Sequence, residues 1–303
     1  MRRGGAVICD RFWWVKQLEY LLPFICSKFY NIPIVVAAPS IGPFNREKNI
    51  LRNIFKRVML STAKIICVRE KISQVYLREL GVEKNVKVTI DTAFLDEFDG
   101  KGILNELEKD QELSAFMKKY SRVVGVTITD FQWHVEYSKD SSLQVRIKNA
   151  ISQFIAELEK EETGVLLIPQ LFGIQNDRNL LLEYSLYSNV HVLSDLYNTY
   201  DQQMIISRLY AMIGMRYHSN IFAAKAGVPF IAVTYEEKMA GFMHEWNLDE
   251  WEVKLENLSY ENLLDKYEKL KEQYTIYKEM LLEHHTLWKR HAEETMESIM
   301  EWM

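Results

Sequence analysis

Residues 211 to 242 read AMIGMRYHSNIFAAKAGVPFIAVTYEEKMAGF. Ala211 to Met215 is a short apolar run, and Arg216, Tyr217, His218, Ser219 and Asn220 separate it from the helix-forming Ile221 to Lys225. Gly227, Val228 and Pro229 then stop the helix, and Phe230 to Tyr235 is again apolar and β-branched. The predicted order is a strand, a polar turn, a short helix and a second buried parallel strand. A guanidinium and an imidazole thus stand at the carboxyl end of a strand, where open α/β sheets bind ligands and a helix N-terminus favours anions. Taken alone, the pair also reads as an ordinary polar turn, with the arginine tied to a loop carboxylate and the histidine bonded to backbone.

The same alternation runs outward in both directions. Towards the amino terminus, Gly4 to Cys9, Ile34 to Ala38, Lys64 to Val68 and Val86 to Ile90 read as strands, with helices from Arg11 onward and over Glu47 to Ser61 and Ser73 to Leu80. Gly81 is a natural left-handed helix stop, Asp91 a cap or a site carboxylate, and Pro39 to Pro43 a turn exposing backbone amides. Asp96 to Tyr120 turns charged and helical and marks a boundary. Beyond it come the strands Val123 to Thr129, Gly164 to Ile168 and Val190 to Leu193, and the helices Leu143 to Glu162 and Asp201 to Leu209. From Leu263 on, Tyr267, Leu270, Tyr274, Tyr277, Leu281, His284, Trp288 and His291 recur at steps of three and four, one face of a long helix packing back across the domains. His284 and His291 are two turns apart, too far for one metal ion without a partner.

The 303 residues suffice for two domains, since domains commonly run roughly 100 to 150 residues. The divisions predicted are 1–112, 113–258 and 259–303: two doubly wound parallel α/β domains and closing helices. Thirty-seven basic against 42 acidic side chains give a net charge of −5 without a dense basic run, which argues against nucleic acid as the main partner. Cys9, Cys26 and Cys67, an odd set in apolar surroundings, read as free thiols of a cytoplasmic protein. The most apolar stretch, Phe12 to Phe29, carries Lys16, Glu19 and Pro23, which suits a buried or interfacial helix better than a span of ~18 or more apolar residues. Phe12, Trp13 and Trp14 beside Lys16 read first as a buried face and second as an anchor for peripheral contact with the inner face of a membrane.

Several of these pieces form one ordered set. Gly214, Arg216, His218 and Ser219 spell G-x-R-x-H-S, Gly227 and Pro229 spell G-x-P, and Tyr235 and Lys238 spell Y-x-x-K. Ahead of them stand A-P-S-I-G-P-F at Ala38 to Phe44, V-R-E-K-I-S at Val68 to Ser73, Leu80 with Gly81, Asp91, and Ile168 to Gln170. From about Gly4 to about Phe242 the chain resembles the polysaccharide pyruvyl transferase family. The resemblance implies a GT-B-like fold, two Rossmann-like domains facing a cleft. It also implies an amino-terminal domain shortened here, because the family usually has a further strand–helix unit and a Gly-rich loop ahead of Gly4.

The implied reaction transfers the enolpyruvyl carbons of phosphoenolpyruvate onto two hydroxyls of one sugar, as a cyclic ketal, on a cell-surface polysaccharide or its precursor, with a free sugar or a lipid-linked oligosaccharide as acceptor partner. It needs an acid/base and cations, but neither metal nor cofactor. Arg216 is the first candidate for the donor's anionic groups because its planar fork suits carboxylate and phosphate. Arg69 and Lys238 come next. His218 is the acid/base candidate, an imidazole ordinarily trading protons near pH ~6.5, and His134, in the loop after Val123 to Thr129, is the second. Ser40, Gln170 and Ser219 complete the candidate binding set. Two alternatives stand beside this reading: a GT-B glycosyltransferase using a nucleotide sugar, and a non-catalytic member of the family.

Overall fold

A computed structural model describes residues 6–10, 14–44, 50–95, 110–131, 134, 137–172 and 176–302. The chain forms two compact units: Met1–Asp96 with His244–Trp246 and Thr286–Met303, and Glu97–Met243 with Asn247–His285.

The first unit contains β1 (Ala6–Ile8), α1 (Trp14–Tyr30), β2 (Val35–Val36), β3 (Ser40–Ile41), α2 (Ile50–Leu60), β4 (Ile65–Val68), α3 (Lys71–Leu80) and β5 (Val86–Val88). All its described strand pairs are parallel, in a two-stranded sheet β1-β3 and a three-stranded sheet β2-β4-β5. Leu21 and Phe24 of α1, Met59 and Leu60 of α2, Ile66 and Val68 of β4 and Leu77 of α3 close over one another as its core. The expected open turn at Pro39 to Pro43 is instead partly strand: Ser40 and Ile41 are buried, pair with β1, and the Gly42 N–H donates to Ile8 O at 2.8 Å. Gly42 itself sits at φ +90° with Tyr76 pressed against its Cα, leaving no room for a Cβ. Gly81, at φ +85°, ends α3 as its sequence position implied.

The second unit contains α4 (Gln111–Lys119), β6 (Val123–Thr127), α5 (Ser141–Lys160), β7 (Gly164–Leu167), α6 (Asp177–Leu181), β8 (Val190–Val192), α7 (Thr199–Ile206), β9 (Ala211–Gly214), α8 (Tyr217–Lys225), β10 (Phe230–Thr234), α9 (Glu237–Glu245), β11 (Glu252–Lys254), α10 (Tyr260–Glu272) and most of the first half of α11 (Tyr274–Met300). Its six-stranded sheet is parallel throughout, with the order β8-β7-β6-β9-β10-β11. Counted from β6 this is 3-2-1-4-5-6, the doubly wound dinucleotide-fold order, and its reversal point lies between β6 and β9. Both central strands are buried along their length, which is why they read as unbroken apolar runs.

Helix ends differ from their sequence-read positions where the sequence lacks a stop signal. α8 begins at Tyr217 rather than Ile221, so His218, Ser219 and Asn220 lie in its first turn and not in a loop before it. The long terminal helix is interrupted at Gln273. Its predicted apolar face is the buried one, carrying Tyr267, Leu270, Tyr277, Leu281 and Trp288. Within the second unit the Tyr277 ring stacks on Trp251 at 4.2 Å and its hydroxyl donates to Phe230 O at 2.9 Å. Phe12, Trp13 and all of Asp96 to Lys109 lie outside the described residues. Trp14 is half-buried and packs edge-on to Phe55 at 6.1 Å, in the α1–α2 seam, so it does not stand out as an anchor. The three cysteines are free thiols, and burial pushes the Cys67 thiol up. Among the described residues no helix is long and apolar enough to cross a membrane, and no group of three or more His, Cys, Asp or Glu could hold a metal ion.

Candidate active site at the strand-order switch

The switch between β6 and β9 is built around one hydroxyl. Thr127, the last residue of β6, accepts hydrogen bonds on Oγ1 from the backbone N–H of Met215 at 3.1 Å and of Arg216 at 3.2 Å. The Ser219 hydroxyl donates to Arg216 O at 2.6 Å, so the Thr127 hydroxyl donates to Ser219 Oγ at 2.9 Å. Both side chains are fully buried. This bridge turns the chain sharply out of β9 and directly into α8. Asn220 closes the turn from below, donating from Nδ2 to Gly214 O at 2.9 Å. A Cβ on Gly214 would stand 1.9 Å from Asn220 Oδ1, so only glycine fits there.

Arg216 leaves this turn as the residue before α8, its side chain largely buried. Its guanidinium forks onto Asp177, with Nε donating to Oδ2 at 3.1 Å and Nη2 to Oδ1. Asp177 is anchored in turn: its Oδ2 accepts the backbone N–H groups of Gln170 at 3.1 Å and Leu171 at 2.8 Å, just past β7. Burial works to lower the Arg216 pKa, but Asp177, with Tyr235 and Asp130 behind it, outweighs burial and the net shift is upward. The Tyr235 hydroxyl, at the end of β10, faces the same guanidinium; burial, seconded by Glu236, keeps it protonated far above neutral pH although Arg216 pulls the other way.

Beside Tyr235 stands an aromatic cluster from the loop after β6. His134 is buried, stacks on Tyr137 at 4.5 Å and meets Phe131 and Tyr235 edge-on at 6.1 and 6.2 Å. Its Nδ1 accepts the Tyr137 N–H at 3.4 Å. Phe131 holds φ at +57°, a left-handed conformation rare for a bulky side chain and the sort of strain that collects at sites. His218 is half-buried in the first turn of α8, its ring edge-on to Tyr217 at 5.3 Å and 5.9 Å from Phe222. Lys238, in the first turn of α9, pairs with Glu236 and lies 5.7 Å above the Tyr217 ring.

The second unit thus carries Arg216, His218, His134, Lys238, Gln170 and Ser219 on the carboxyl ends of β6, β7, β9 and β10. Two of these also make internal bonds: Ser219 in the turn, and the Gln170 backbone N–H to Asp177. The Gln170 side chain donates to Gln202 Oε1 at 2.9 Å. The carboxylate that the simpler reading of Arg216 called for is Asp177. Thr127, Asp177 and Tyr235 were not among the candidates, although Tyr235 stood in the Y-x-x-K motif and Thr127 at a strand end.

Arg69 and Ser40 belong to the first unit and to a different network. Arg69 is buried at the end of β4, with Nη1 on Asp91 Oδ2 at 2.6 Å, Nε on Ser40 Oγ at 2.8 Å and Glu70 at 3.4 Å. Asp91 is the cap its sequence position allowed, its other oxygen accepting the Ala93 N–H at 2.9 Å. Ser73 donates to Glu70 at 2.8 Å and accepts the Ile41 N–H at 2.8 Å, tying α3 to β3.

Comparison with known proteins agrees with this construction. Residues 4–237 match the family described as Polysaccharide pyruvyl transferase. The amylovoran biosynthesis protein AmsJ of Erwinia amylovora is 23% identical over 292 residues, covering 89% of this chain and 66% of that protein, so the chain spans just under two thirds of its curated relative's length. Among solved structures, the UDP-GlcNAc 2-epimerase of Neisseria meningitidis superposes with a TM-score of 0.60 at 13% identity, over 94% of this chain and 74% of that one. A putative UDP-N-acetylglucosamine 2-epimerase of Listeria monocytogenes gives 0.61 at 13%, over 96% and 72%. These structures are similar in fold alone, a GT-B-like α/β architecture. With that fold, the ordered motifs from Ala38 to Lys238 and a family match over most of its length, the chain belongs to the polysaccharide pyruvyl transferase family.

Proposed function

We propose that the chain transfers pyruvate from phosphoenolpyruvate, as a ketal, onto a sugar of a cell-surface polysaccharide or its precursor. The observation that carries this reading is the placing of Arg216 and His218 of the family motif at the β6–β9 switch point, where doubly wound sheets bind their ligands. A donor carboxylate or phosphate meets a guanidinium whose plane Asp177 already fixes, so little side-chain entropy is lost on binding. His218 gives a proton to the donor's methylene carbon, which becomes a methyl group, and the neighbouring carbon takes the oxygen of a sugar hydroxyl as that hydroxyl loses its proton. The C–O bond to phosphate then breaks, phosphate leaves with the electron pair, and a second hydroxyl of the same sugar closes the ring and gives up its proton.

The test is donor titration by calorimetry beside phosphate release with a panel of free and lipid-linked sugars. His218→Ala should lower kcat by roughly 10²- to 10⁴-fold while phosphoenolpyruvate still binds. Arg216→Lys, keeping charge and losing the fork, should weaken donor binding instead. Near-parental turnover by His218→Ala would move the acid/base role to His134, and turnover of a nucleotide sugar in place of phosphoenolpyruvate would overturn the reading.

A further inference from the structure

Two helices of the first unit turn large apolar side chains outward. α2 turns Asn53, Lys56, Met59 and Leu60 inward and leaves Ile50, Leu51, Ile54 and Val58 outward, with Ile50 64% and Leu51 82% exposed. At 100° per residue these four outward side chains span one stripe about 100° wide, opposite the buried face. The inward Lys56 is fully buried and pairs with Asp10 and with Asn53 at 3.2 Å. A helix that buries a lysine beside Met59 and Leu60 while exposing isoleucine and leucine carries apolar residues on both faces.

α1 is apolar on both sides. Gln17, Leu21, Phe24 and Ser27 face inward, and Val15, Leu22, Ile25 and Phe29 form the opposite stripe, Phe29 being 81% exposed. Leu21 and Phe24 of α1 enter the same core cluster as Met59 and Leu60 of α2, and Trp14 meets Phe55 in the seam between the helices. The two helices are thus neighbours packed through one seam and one core, and each carries an exposed apolar stripe on its far side. Together the stripes exceed the scattered single apolar residues that any protein surface carries.

Charge identifies the occupant. From Trp14 to Lys64 eight lysines and arginines stand against two glutamates, a net +6 in a chain whose total is −5. Lys56 is spent on Asp10, but Lys16 and Lys28 of α1 and Arg52 and Arg57 of α2 are exposed on the same two helices as the stripes. Apolar stripes with cations on the same helices match an anionic lipid surface, which accepts the side chains among its acyl boundary and the cations at its headgroups. A second copy would bring the same cations against each other. We infer that the α1–α2 face docks the protein on a membrane bearing anionic phospholipid headgroups. The inference does not depend on the proposed reaction.

Cosedimentation with vesicles of phosphatidylcholine containing about 40% phosphatidylglycerol tests it, against pure phosphatidylcholine and at about 0.5 M salt, where headgroup attraction is screened. The parent should bind the anionic vesicles and lose most of that binding in the other two conditions. The combined variant Leu22→Gln, Phe29→Gln, Leu51→Gln and Ile54→Gln should bind roughly tenfold or more weakly, with an unchanged Tm. Binding to neither vesicle, equal binding to both, or equal binding by parent and variant overturns the inference. So does a lipid-free dimer in sedimentation velocity that the variant dissolves, which would assign the surface to a second copy.

Discussion

At the scale of single residues, the site depends on groups whose bonds are all internal. Thr127→Val keeps the shape and removes the hydroxyl, with its bonds to the Met215 and Arg216 N–H groups and to the Ser219 oxygen; Met215 keeps its bond to the Thr127 carbonyl at 3.2 Å. The expected cost is about 1–3 kcal/mol in denaturant unfolding, with Thr127→Ser restoring most of it. Asp177→Ala strands a largely buried guanidinium and should cost about 3–5 kcal/mol, more than any exposed pair of this chain. Gly214→Ala drives a Cβ into an amide already bonded to the backbone and should lower stability by about 1–3 kcal/mol or more. Arg216 and His218 were legible because strand, polar residues and helix follow each other in sequence. Asp177 was not: it stands 39 positions from its arginine, and only the order of strands brings the two together.

At the scale of elements, the informative failures share a cause. α8 started earlier than its pattern implied because nearly every residue of it is buried, so it has no polar face to supply a period, and Arg216 caps it without a side-chain bond. Ser40 and Ile41 make a strand of two residues, too short for alternation to register. Strands β6, β7, β9 and β10 were readable because burial on both faces writes itself as an apolar run. β8 ends the sheet with His191 half-buried against Phe116, ring to ring at 5.3 Å. Burial lowers the His191 pKa below its ordinary 6.5, although Asp110 and Glu112 oppose the shift. A lowered histidine is neutral when folded and takes up its proton on unfolding, so its share of stability is present above 6.5 and is lost as pH falls below that value. His191→Phe should therefore flatten the decline of Tm between about pH 6.5 and 5 relative to the parent.

At the scale of the molecule, the repeating strand–helix order showed an α/β protein, but not that the second sheet runs 3-2-1-4-5-6 or that its reversal falls at Thr127 and Arg216. Sequence order is silent on strand neighbours until side chains choose them. The terminal helix, read from sequence as packing back across the domains, gives its last residues to the first unit. Trp288 of α11 is fully buried there, 5.1 Å from Phe94 and 5.7 Å from Trp246, and Lys87 bonds Ser298 at 3.1 Å. Trp288→Ala should cost about 3–5 kcal/mol, with hydrogen exchange rising first around Phe94. The same arrangement sets a clock on biosynthesis. The ribosome finishes Asp96 about 190 residues before it reaches Thr286, a wait of roughly 10–40 s at 5–20 residues per second. Throughout that interval the nascent amino-terminal unit has a hole where an indole belongs, and its protection falls to whatever chaperone meets it at the tunnel exit.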